Sequence, residues 1–173
     1  LMPQTESSAF PALRKTKVSV LQFNIGRLCN QACRHCHVDS SPARSGAEDN
    51  ASGALIEEVL EFLAANPAVA TLDITGGAPE LNPHFKRLVV GARELGCKVL
   101  VRHNITVQGV EGYGDLPEFF RDHEVDLYCS LPCYLEENVD KQRGNGVFDA
   151  SILGLQRLNQ VGYGMEGSAL ALN

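Results

Sequence analysis

Cys29, Cys33 and Cys36 stand in the spacing C-x3-C-x2-C within the segment CNQACRHC. Thiolates are the natural ligands of iron–sulfur clusters, and a cubane offers four iron corners. Three nearby cysteines leave one iron without a protein ligand, which suits a cluster that binds and reduces a small molecule directly. A cluster that only carries electrons would have every corner filled. Zinc is the rival reading, since the three cysteines with His35 or His37 make a Cys3His set. Such sites usually pair two short motifs across a longer loop, and no second pair stands nearby. Three unligated cysteines in a surface loop is the plainest alternative, and it sits poorly with thiol reactivity.

Other residues could serve the same chemistry. In the segment TGGAPE (residues 75–80), Gly76 and Gly77 let the backbone turn sharply and approach a ligand, Ala78 and Pro79 continue the turn, and Glu80 offers a carboxylate. The alternative is a tight strand-to-helix turn with no ligand. Arg143, in DKQRGNGVF, carries a guanidinium fork that matches a carboxylate, and a solvated surface arginine is the competing reading. Cys129 and Cys133 flank Ser130-Leu-Pro. Cys133 is a candidate catalytic thiol, soft enough for a thiophilic substrate, a second cluster or hydrogen-atom donation. Cys129 and Cys97 read as small core residues. His84, His103 and His123 lack partner spacing, and Asn104 is left without a role.

These residues need a scaffold. Strand-like segments at 17–26, 69–77, 98–106 and 125–134 alternate with helical apolar spacing, as in Leu55, Ile56, Val59, Leu60 and Leu63. Asn82-Pro83 predicts the start of the second helix and Asp115 caps the third, while Gly96 ends the second. Phe148 through Val161 mark a fourth helix, and SALALN a fifth strand. A polar stretch at 40–52 is expected to be mobile. The alternation predicts an α/β fold, a parallel-stranded partial (β/α) barrel with five strands in this chain, its strands apolar because both faces are covered. In such sheets chemistry gathers beyond the carboxyl ends of the strands, and the cysteine, GGAPE and SLPCY segments all fall there. Residues 1–16 read as an extension and 17–173 as the amino-terminal part of a core, with further strands and a C-terminal domain expected outside this chain.

Fifteen basic against 21 acidic side chains give a net charge of −6, which argues against nucleic acid or an anionic membrane as partner. The N-terminus lacks a secretory h-region, and no apolar stretch has the length of a bilayer span, which points to the cytoplasm. In that compartment six cysteines serve as ligands or core residues rather than disulfides.

The cysteine motif after a first strand resembles the signature of radical SAM enzymes. With it, QFNIGRLCNQACRHCHVDSSP, DITGGAPELNPHF and SLPCYLEENVDKQRGNGVF resemble the arsenosugar-biosynthesis radical SAM protein family, from about Val18 onward. The resemblance implies a [4Fe–4S] cluster on Cys29, Cys33 and Cys36, whose open iron binds the amino and carboxylate groups of S-adenosylmethionine (SAM). Reductive cleavage then gives methionine and a 5′-deoxyadenosyl radical, which adds to a trivalent methylated arsenical. It also implies an electron donor such as a flavodoxin or ferredoxin. Residues 76–80 would contact the amino group of SAM and Ser130 would make a polar contact to it, while the guanidinium chemistry of Arg143 suits the methionine carboxylate. His35 stands where the family usually has an aromatic residue, and still offers a flat face. The family's acid usually follows the glycines directly, whereas Glu80 comes three residues after Gly77. The wider radical SAM group, acting on peptides or other small metabolites, shares the D-x-x-R-G-x-G-x-F stretch, and a non-enzymatic zinc or iron–sulfur module is the remaining alternative.

Overall fold

The computed structural model describes residues 17–173; the expected extension, residues 1–16, lies outside them. Four parallel strands, β1 (Val20–Asn24), β2 (Thr71–Thr75), β3 (Lys98–His103) and β4 (Asp126–Cys129), pair in chain order. The expected fifth strand joins β4 at a single parallel bridge, Leu127 to Leu172, with Leu127 N donating to Ala171 O at 3.0 Å.

Among the described residues five α-helices accompany the sheet: α1 (Gly53–Ala65), α2 (Phe85–Glu94), α3 (Leu116–Asp122), α4 (Glu136–Arg143) and α5 (Val147–Gln160). Apolar side chains of α1, α2, α3 and α5 bury Leu72, Ile74, Val99, Val101 and Leu127 in one core. The strands therefore alternate instead of being apolar throughout. Their other face carries Gln22, Asp73, Arg102 and Tyr128, of which all but Asp73 are exposed among the described residues. Asp73 is buried there because Arg102 grips it with two hydrogen bonds, 3.1 and 2.9 Å, and Gln22 adds a third at 2.8 Å.

The two expected caps fare differently: Asn82 Oδ1 accepts from His84 N at 2.9 Å, just before α2, while Asp115 makes no such bond. Asn82 donates to the carbonyls of Ile25 and Ala51 at 3.1 and 3.0 Å, tying β1 and α1 to the turn before α2, which begins at Phe85. Asp115 precedes α3 without capping it, its carboxylate being held by Lys86 Nζ at 2.6 Å. The polar stretch 40–52, expected to be mobile, is tied instead. Asn50 Nδ2 donates to the carbonyls of Arg44 and Gly46, both at 2.8 Å, and Asp49 receives Arg27 at 2.9 Å.

Candidate active site

The cysteine loop leaves β1 and is closed at its base. Cys29 N donates to Ser41 O and Ser41 N to Arg27 O, each at 3.3 Å. The Arg27 guanidinium spans the opening, reaching Val38 O, Asp49 and Asp39, all at 2.9 Å. Arg44 also holds Asp39. These pairs are partly exposed, so their worth lies in geometry more than in energy.

Within that loop Cys29, Cys33 and Cys36, none of them in a disulfide, line a cavity of about 340 Å³ at the carboxyl ends of the strands. Burial raises the Cys29 thiol above its ordinary range, and it raises Cys33 too, although the nearby Arg143 guanidinium opposes it. At Cys36 burial also raises, but amide hydrogen bonds led by Ser40 outweigh it and the thiol is lowered. The donor set fits an iron–sulfur cluster. The three thiols line one cavity, none of them engaged in a disulfide. Ser40 Oγ, on the wall of that space, and Arg143 Nε are buried without a hydrogen-bond partner, which marks a site shaped for a further group.

Gly76 and Gly77 line the same cavity, but their first role is packing. A Cβ on Gly77 would lie 2.6 Å from Leu28 O and 2.9 Å from Arg27 O; on Gly76 it would lie 2.7 Å from Gly26 O. Gly77 N donates to Gly26 O at 3.0 Å and Ala78 N to Leu28 O at 2.9 Å. The Gly77 and Ala78 amides are thus taken up by the cysteine loop, and the glycines hold that loop in place.

Arg143 ends α4, and the following turn is organised by Asp140. Its carboxylate accepts from Gly146 N at 2.6 Å and Phe148 N at 3.0 Å, which caps α5 and holds the Asp140 carboxyl below the ordinary carboxylate range. Gly146, at φ +75°, supplies the left-handed residue the turn requires. Arg34 N, donating to Gln142 O at 3.1 Å, docks α4 on the cysteine loop.

His35, Ser130 and Arg143 join the three cysteines and both glycines around the cavity, whereas Ala78, Pro79, Glu80 and Cys133 do not line it. Glu80 is buried, with Oε1 2.5 Å from His103 Nδ1, and Gln108 Nε2 lies 2.8 Å from His103 Nε2. Cys133 accepts from Asn138 at 3.4 Å, and its thiol is lowered by the Leu135 amide first and Asn138 second. Burial, then the Glu80 carboxylate, pushes Cys129 up to about 12, the state of an inert thiol. Cys97 is core, as expected.

Asn104, Arg102, His103 and Tyr128 also line the cavity, and sequence reasoning gave none of them a role. The signal available was position. Asn104 is the first residue past β3, and Arg102 and Tyr128 are register partners on the open face.

The Radical SAM superfamily model matches residues 23–166. Fe-coproporphyrin III synthase of Methanosarcina barkeri is 29% identical over 151 residues, covering 86% of this chain and 36% of that protein. Streptococcus suis SuiB bound to S-adenosylmethionine superposes with a TM-score of 0.66 at 18% identity, over 88% of this chain and 35% of that one. SuiB bound to the precursor peptide SuiA gives 0.64 at 19% identity, over 88% and 34%. The chain therefore spans about a third of the length of these proteins, and the likeness to SuiB establishes the fold.

Proposed function

Because the chain belongs to the radical SAM superfamily, we propose that Cys29, Cys33 and Cys36 hold its cluster and that the neighbouring cavity wall holds SAM. The cofactors of the family are a [4Fe–4S] cluster and SAM. When bound, the cluster supplies the electron that splits SAM into methionine and a 5′-deoxyadenosyl group. The observation that carries the reading is the meeting of three free thiols with Arg143 around one cavity at the strand ends. Arg143, with its Nε buried and unpartnered, is the cation for the methionine carboxylate. Ser130 offers a hydroxyl and His35 a flat face to the remainder of SAM. Gly76 and Gly77 keep the loop close enough for backbone carbonyls to meet the amino group. Glu80 supports this wall indirectly, through buried His103. Cys133 falls outside the cavity, and we assign it no step.

For the substrate we propose a trivalent methylated arsenical that accepts the 5′-deoxyadenosyl group, the reaction of arsenosugar biosynthesis. Support comes from the combined segments GGAPEL and SLPCYLEENVD on a radical SAM core. A flavodoxin or ferredoxin would deliver the electron, in the cytoplasm, whose reducing conditions suit six free cysteines. No helix among the described residues is long and apolar enough to cross a membrane. The second reading is modification of a peptide or another small metabolite. It is favoured by the polar open face of the sheet, with Arg102 on Asp73, and by a relative named for a porphyrin.

The test is anaerobic incubation of the reconstituted full-length protein with reductant, SAM and dimethylarsinous acid, read by mass spectrometry. A product joining 5′-deoxyadenosyl to arsenic is expected. If 5′-deoxyadenosine forms alone, SAM cleavage stands and the arsenical reading gives way to the second.

A further inference from the structure

Cys29 is the most enclosed of the three loop thiols, 7% exposed, and two donors are aimed at its sulfur. One is local, the Gln31 amide at 3.4 Å. The other comes from across the sheet: Asn104 Nδ2, just beyond β3, also at 3.4 Å and 75 residues away in the chain.

The orientation of that amide follows from its partners. Thr106 Oγ1 accepts from Asn30 Nδ2 at 2.9 Å and from Gln31 Nε2 at 2.8 Å, and donates to Asn104 Oδ1 at 3.1 Å. A hydroxyl has one donor and two acceptor positions, so Thr106 is saturated. Turning the Asn104 amide over would set its NH2 against a hydroxyl with no free lone pair. It would also lose the bond from Asn104 Nδ2 to Asn30 Oδ1, 2.7 Å. The NH2 is therefore held on the sulfur.

We infer that Asn104, locked by Thr106, is a positioning residue that fixes the Cys29 thiolate and, by donating to it, raises the reduction potential of the cluster. This rests on Cys29 being a cluster ligand. Hydrogen bonds to ligand sulfur favour the more negative, reduced state and so move the potential upward. Partners of this kind also orient the ligands they touch.

The experiment compares reconstituted full-length protein with Asn104→Asp, Asn104→Leu and Thr106→Val, measuring iron per chain and the midpoint potential by EPR-monitored titration. Asn104→Asp keeps the shape and replaces the donor by an acceptor. Thr106→Val keeps Asn104 but removes its lock. Each variant is expected to retain its iron and to show a more negative potential, the shift being largest for Asn104→Asp and smallest for Thr106→Val. An unchanged potential in all three overturns the inference, because the donor is then not felt. Loss of iron from all three with the fold intact also overturns it, leaving a scaffold and no tuning. Wild-type protein that binds no iron would overturn the ligand reading itself, and the inference with it.

Discussion

Serine at Cys29, Cys33 or Cys36 is expected to lower 5′-deoxyadenosine formation from SAM by at least about 100-fold, with iron content falling in parallel. Losing a partner that merely orients a ligand already costs on the order of 10–100-fold, and here the proposed ligand itself is lost. Serine keeps the size of the side chain but is a hard, weakly acidic donor, poorly matched to iron held in sulfide. The effect should be equal at the three positions, because the remaining thiols line the same cavity with no fourth to replace the missing one. Cys97→Ala is the control. That thiol is packed in the core, donating to the Val69 carbonyl at 3.6 Å, and does not line the cavity, so its removal should cost stability and leave iron in place. Iron analysis and a cleavage assay on the four variants check both halves. A serine variant at wild-type iron content would remove that residue from the ligand set.

Gly77→Ala is expected to do nearly as much damage without touching a ligand. Its Cβ would lie 2.6 and 2.9 Å from the Leu28 and Arg27 carbonyls, and backbone cannot swing aside as a side chain can. Relief requires parting the β2 exit from the cysteine loop, which breaks the bonds from Gly77 N and Ala78 N to Gly26 and Leu28. Overpacking of this kind costs roughly 1–3 kcal/mol, or about 4–8 °C in Tm for a loss near 2 kcal/mol in a chain of this size. Cluster retention should fall as well, since Leu28 immediately precedes Cys29, the first of the proposed ligands. Thermal denaturation with iron content checks this, and wild-type values for both would show that the two segments are not coupled.

What could be read from the sequence was local. The C-x3-C-x2-C spacing places three thiols in one loop whatever follows, and β-branched runs between helical stripes gave the four strands of the sheet. Helix α4 was not anticipated because EENVDKQR has no apolar stripe, Val139 being its one buried residue. Of the expected caps, Asn82 keeps its side-chain oxygen on His84 N while its amide nitrogen holds two distant carbonyls, and Lys86 claims the Asp115 carboxylate. The supports of the site were invisible for a similar reason. Asn104 to Cys29, Arg102 to Asp73 and His103 to Glu80 span 75, 29 and 23 residues, contacts that exist only once parallel strands are in register. Gly76 and Gly77 do permit close approach, yet what approaches is the cysteine loop before any ligand.

The central claim is that three sulfurs leave one iron open for SAM. Anaerobically reconstituted full-length protein, reduced and mixed with SAM isotopically labelled in its amino and carboxylate groups, tests it by electron–nuclear double resonance. The account predicts a cluster of about four irons with hyperfine coupling to both labelled groups. Zinc at the site, or a cubane that shows no coupling because side chains fill every corner, would contradict it.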